Sequence, residues 1–139
     1  MDASIRVNSC DKQIEVNDDG DYITLRLGDA AFTNTLTQLV KDAQHYAVEL
    51  NKKNPDATPD EAAAFASENE KMCVQIADRI DGLFGEGTRK KVFGDRVPDF
   101  TSITEFFTQI AALVKEFETA RAAESAKRIA KYTVKYGNS

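Results

Sequence analysis

The hydrophobic period of this chain changes at Gly28, and that change limits the folds open to it. Before Gly28 the apolar residues lie two apart: Ile5 and Val7, then Ile14 and Val16, then Ile23, Leu25 and Leu27. Side chains two apart share one face of a strand. The intervening stretches "NSCDK" and "NDDGD" are rich in Asn, Asp and Gly, the residues of hairpin loops. The pattern predicts a three-stranded antiparallel meander over residues 1–28 with one apolar face. So small a sheet needs helices to cover that face.

After Gly28 the spacing becomes helical. Asp29 is placed to cap a helix whose stripe runs through Phe32, Leu36, Leu39, Val40, Ala43, Ala47 and Leu50. "NKKNPDATPD" ends it, because Pro55 blocks continuation. Thr58 can cap a second helix, with Pro59 at its first position and Asp60 and Glu61 at the positive end of its dipole. Its stripe is Ala62, Phe65, Ala66, Met72, Cys73, Ile76, Ala77, Ile80, Leu83 and Phe84, and Gly85 suits its end. Ser102 and Glu105 have capping-box spacing for a third helix, striped by Ile103, Phe106, Phe107, Ile110, Leu113, Val114 and Phe117. Beyond Phe117, "ETARAAESAKRIAKY" keeps its helix propensity, but large apolar residues return only at Ile129, Tyr132, Val134 and Tyr136.

The expected fold is therefore α+β: an N-terminal three-stranded antiparallel meander packed against a bundle of three main helices, with a long, partly projecting C-terminal helix. A length of 139 residues suits one domain with one core. Within it, residues 1–28 form the meander, residues 29–136 are helical, and residues 118–139 project or fray.

At 42% apolar and 29% charged residues the composition is that of an ordinary globular protein, and no run approaches the ~20 apolar residues that span a bilayer. "MDASIRVNSC" lacks the basic-then-apolar layout of a secretory signal, so the expectation is a cytoplasmic protein. Two cysteines, Cys10 and Cys73, are too few for a disulfide framework, and Cys73 reads as a small buried hydrophobe. The net charge of −5 argues against general nucleic-acid binding. Asp2, Asp11, Glu15, Asp18, Asp19, Asp21 and Asp29 make the first segment acidic. Arg121, Lys127, Arg128, Lys131 and Lys135, against Glu124, make the last one basic. Such asymmetry suits head-to-tail contact or an acidic partner, and equally a solvated surface.

The stretch "GLFGEGTRKKVFGDRVPDF", residues 82–100, has glycines at phosphate-loop spacing. A phosphate loop needs Gly-Lys-Ser/Thr at its end, and here Gly87 is followed by Thr88 and Arg89. The segment before Gly82 is helical rather than a strand, so the stretch reads as a packed connector. Thr88 caps a short turn, and Phe84, Val92, Phe93, Val97 and Phe100 anchor it. "EVNDDGD" starts like a calcium loop, but its final acid position falls on Arg26, so a hairpin turn is the better reading. His45 is the lone histidine, and no nucleophile motif is present. The expectation is a protein that is not an enzyme and needs no cofactor or metal. What remains is a partner-binding surface on Arg121, Lys127, Arg128, Lys131, Tyr132, Lys135 and Tyr136, with a plain solvated tail as the alternative. Interleaved bases and tyrosines also suit nucleic acid, a partner less favoured here than a protein.

"VFGDRVPDF", preceded by "FGEGT" and followed by "EFF", resembles a small family encoded among the tail genes of tailed phages and prophages of Gram-positive bacteria. "IEVNDDGDYITL" near the start and the basic, Tyr-containing end "KYGNS" fit it in the same order. That family is comparable to tail assembly chaperones. The resemblance implies a non-enzymatic role in the host bacterial cytoplasm, or in association with the virion. Such a protein binds the long helical tape-measure protein, keeps it soluble and recruits tail-tube subunits around it. A protein partner is thus expected, a homo-oligomer is left open, and no membrane is involved. The alternatives are a structural tail or connector subunit and a small phage-encoded inhibitor or DNA-binding regulator acting through the basic tail.

Overall fold

The computed structural model describes residues 3–5, 7, 10–50 and 56–137, with the side chains of 132–137 left aside. The chain is α+β and mostly helical: β1 (Asp11–Glu15), β2 (Tyr22–Arg26), α1 (Ala30–Leu50), α2 (Pro59–Phe84), α3 (Thr88–Phe93) and α4 (Phe100–Gly137). It divides into two compact units, Met1–Phe107 and Thr108–Ser139. No helix among the described residues is long and apolar enough to cross a membrane.

The sheet corrects one expectation. It has two antiparallel strands among the described residues, with Ile14 opposite Ile23 and Lys12 opposite Leu25. The expected first strand is absent at Ile5 and Val7, which are 93% and 87% exposed, while residues 6, 8 and 9 of that segment lie outside the described ones. Two apolar residues bury too little to hold an edge strand, and Cys10, with φ 56°, turns the backbone out of the extended region just before β1. The hairpin loop forms as its composition predicts. The Asn17 side-chain oxygen accepts the N–H groups of Asp19 (2.9 Å) and Asp21 (3.3 Å), and Gly20 supplies the left-handed residue at φ 82°.

Capping explains where the helices start. Asp29 Oδ1 accepts the N–H of Ala31 at 2.9 Å and opens α1. Thr58 Oγ1 accepts the N–H of Glu61 at 3.2 Å, with Pro59 in the first turn of α2. α4 starts earlier than its expected capping box. Asp99 presents the same kind of acceptor three residues before Ser102, takes the Ser102 N–H at 2.8 Å, and the helix begins at Phe100. Thr88 likewise does not cap. It is buried as the first residue of α3, and its hydroxyl donates to the Gly85 carbonyl at 2.7 Å.

The buried apolar residues fall on the predicted stripes, although part of the α2 stripe stays exposed. Ile23 and Leu25 of β2 and Leu27 just after it share the core with Phe32, Leu36, Leu39 and Ala43 of α1, Cys73, Ile76, Ala77, Ile80 and Leu83 of α2, and Ile103, Phe106 and Phe107 of α4, all buried. Edge-to-face contacts link Phe32 to Phe84 (5.6 Å), Phe84 to Phe106 (5.7 Å) and Phe106 to Phe93 (5.7 Å). Val97, expected in this corner, is exposed, and the neighbouring Pro98 is buried instead. Polar contacts fasten the sheet to the helices: an Arg26 guanidinium N–H donates to the Leu83 carbonyl at 2.8 Å, and Asn17 Nδ2 donates to the Lys91 carbonyl at 3.0 Å.

Candidate functional site

Arg89 and Lys91 of the connector are engaged within the fold. The backbone N–H of Arg89 donates to Asp81 Oδ1 at 2.7 Å and its guanidinium to Asp78 at 2.6 Å. Lys91 Nζ donates to the Tyr22 carbonyl at 3.4 Å. The stretch that looks like a ligand loop ties α2, α3 and the hairpin together.

The titratable groups with resolved shifts serve structure in the same way. The hydrogen bond from Arg79, at 2.8 Å, and then that from Gln38 hold the Asp42 carboxyl below its ordinary range. The Ser102 backbone N–H, then its hydroxyl, does the same for Asp99. Burial, then the charge of Asp99, pushes the Cys73 thiol up, which suppresses the thiolate a nucleophile would need. No group of three or more His, Cys, Asp or Glu among the described residues is arranged to hold a metal ion.

Two surfaces stand apart. The first is the distal part of α4, where every side chain from 119 to 131 is exposed. The segment is helical because alanine and long straight side chains favour the helix, with an i,i+4 pair between Glu124 and Arg128 at 3.5 Å. Helical spacing sets Ala122, Ser125, Ala126 and Ile129 on one stripe, and Ile129 is 63% exposed. Arg121 and Arg128, seven residues apart, run along one flank of it. Lys127 lies toward the other flank and Lys131 on the far side, so the bases ring the helix rather than converge. A broad open depression along this segment is lined by Glu124, Lys127, Arg128, Ala130 and Lys131. Of the expected partner-binding residues, Arg121, Lys127, Arg128 and Lys131 are therefore exposed on one helix. Tyr132, Lys135 and Tyr136 continue it, but their side chains lie outside the described residues.

The second surface was missed by sequence reasoning, which placed Ala62, Phe65 and Ala66 in the core. All of 58–68 is exposed, and Phe65 is 42% exposed. The reason is register. α1 and α2 run antiparallel, with Phe32 against Phe84 and Asp42 paired with Arg79 at 2.8 Å. Counting outward from those contacts, α1, 21 residues long, ends across from the level of Ala66 to Lys71, while α2, 26 residues long, begins at Pro59. The first two to three turns of α2 overhang the end of α1. Their apolar stripe continues the buried line of Cys73, Ile76 and Ile80, with Glu61 and Glu68 along one flank and Glu70 along the other. The signal available beforehand was this weakening of the stripe to alanines between acids.

A profile described as "Family of unknown function (DUF6673)" matches residues 19–138, and the chain belongs to that family. Comparison with curated proteins gives no match, and comparison with solved structures gives none either.

Proposed function

We propose that this family member is a non-enzymatic tail morphogenesis protein of phages, an assembly chaperone that binds the tape-measure protein and recruits tail-tube subunits. The observation that carries the reading is the exposed distal part of α4, a continuous helical surface with a narrow apolar stripe edged by bases. An elongated helical client is met by such a surface through helix-to-helix contacts, in which small residues let the backbones approach and long basic side chains reach acidic positions. The resemblance of "FGEGT" and "VFGDRVPDF" to phage tail proteins is what suggests a tape-measure protein as the client.

Co-expression with the tape-measure protein tests it. The client should move to the soluble fraction and co-purify with this chain, and Lys127→Glu with Arg128→Glu should weaken the complex. A client that stays insoluble and yields no complex removes the reading. A stoichiometric band of this protein in purified particles would put a structural subunit in the chaperone's place.

A further inference from the structure

The two uncovered surfaces of this chain are complementary to each other. The overhang of α2 has an apolar stripe of Ala62, Phe65 and Ala66 with Glu61 and Glu68 seven residues apart on one flank. The distal part of α4 has a stripe of Ala122, Ala126 and Ile129 with Arg121 and Arg128 seven residues apart on one flank. Seven residues are two helical turns, about 10.5 Å, so the acidic and basic rows have the same spacing. Both rows precede their stripe by one residue, which puts them on the same-handed flank. Two helices packed face to face bring same-handed flanks together only when they run antiparallel.

We propose that the overhang of α2 is a docking site for the distal part of α4 from a second copy of this chain. The helices lie antiparallel, with Glu61 opposite Arg128 and Glu68 opposite Arg121. That register sets Phe65, the large residue of one stripe, against Ala122, a small residue of the other, as interdigitated helices require. The Glu124–Arg128 pair within α4, at 3.5 Å and more than half exposed at both ends, is weak enough to be exchanged for the contact with Glu61. The contact joins different surfaces of the two copies, so it forms either a reciprocal pair or a chain. It shares the distal part of α4 with the proposed client contact, so the two would compete, but its test needs no client because both surfaces belong to this protein.

The test uses the full-length protein alone, in sedimentation equilibrium over a range of concentration and salt. The expected result is a mass above the monomer that rises with concentration and falls with added salt. Glu61→Lys with Glu68→Lys, and separately Arg121→Glu with Arg128→Glu, should each weaken association at least about tenfold, since each turns two attractions into repulsions. An equimolar mixture of the two variants should regain it. Mixing Phe65→Cys and Ala122→Cys chains, each with Cys10→Ser, should give a disulfide between copies that neither chain forms with itself. A monomer at all concentrations in low salt overturns the proposal. So does association that survives both reversals, or reversals whose mixture stays monomeric. The exposed positions chosen leave the core intact, and circular dichroism of each variant checks that.

Discussion

Helix α2 contains two regions that one helical period runs through and that the fold treats differently. From Cys73 to Leu83 the stripe is buried against α1, β2 and the first turns of α4. From Pro59 to Glu68 every side chain is exposed, although Ala62, Phe65 and Ala66 stand in line with Cys73 and Ile76. Periodicity marks the face a helix could bury. Whether that face is buried depends on whether a neighbour reaches it, and α1 ends too soon.

The sharpest way to test that contrast is to cut side chains from each region. Ile80→Ala removes a fully buried side chain and should lower unfolding stability by about 2–5 kcal/mol in urea denaturation. Ile76→Ala should fall in the same range. A cost below about 1 kcal/mol at both would mean that the packed half is no better covered than the overhang.

Thr58→Ala comes next. Loss of an N-cap typically costs about 1 kcal/mol, but this cap opens the overhang rather than the packed half. The expected outcome is fraying of the first turns of α2, seen as faster amide exchange there, with protection around Ile80 nearly unchanged. Equal acceleration in both regions would show that α2 opens as one unit.

Acid should then act on the packed region. Asp42 and Asp99 are held below the ordinary carboxylate value of about 3.9 by their hydrogen-bond donors. A folded-state value below the unfolded one means that the unfolded chain binds more protons. Their contribution is therefore present above about pH 4 and is lost as pH falls through the unfolded value toward the depressed folded one. In Arg79→Ala the Asp42 carboxyl should titrate at higher pH by NMR, and the acid limb of the stability curve should become shallower. An unchanged Asp42 titration would mean that the Arg79 contact does not form in solution.

The smallest effects belong to the uncovered surfaces. Phe65→Ala should change monomer stability by no more than about 0.5 kcal/mol, the range of surface substitutions, despite removing an aromatic ring. Truncation after Glu118 should likewise move the thermal midpoint of the remaining chain by only about 2 °C. A large loss in either case would show that these segments are covered.

Much of the fold was legible because its determinants are local. Asp29, Thr58 and Gly85 mark helix ends through hydrogen bonds and backbone angles spanning only a few residues. The alternation of Ile23, Leu25 and Leu27 reports one buried sheet face in the same way. The misses have a shared cause. Ile5 and Val7 alternate like a strand, but a strand also needs a paired neighbour, and the turn at Cys10 intervenes. Ser102 and Glu105 have the spacing of a cap, but Asp99 competes from three residues away. Of the expected partner-binding residues, the basic ones were legible as a charge pattern. The acidic overhang that complements them was not, because alanines and one phenylalanine at helical spacing look the same whether or not anything lies across from them.

The sequence by itself determined the elements, their ends and the faces they could bury, since hydrophobic period, caps and turn residues act within a few positions of the chain. It also determined the opposite charges of α2's first turns and α4's distal part. Only the tertiary structure decided which of those faces is left in water. That choice depends on the register of α1 against α2, set by Phe32 against Phe84 and by Asp42 with Arg79, contacts between residues 52 and 37 positions apart in the chain.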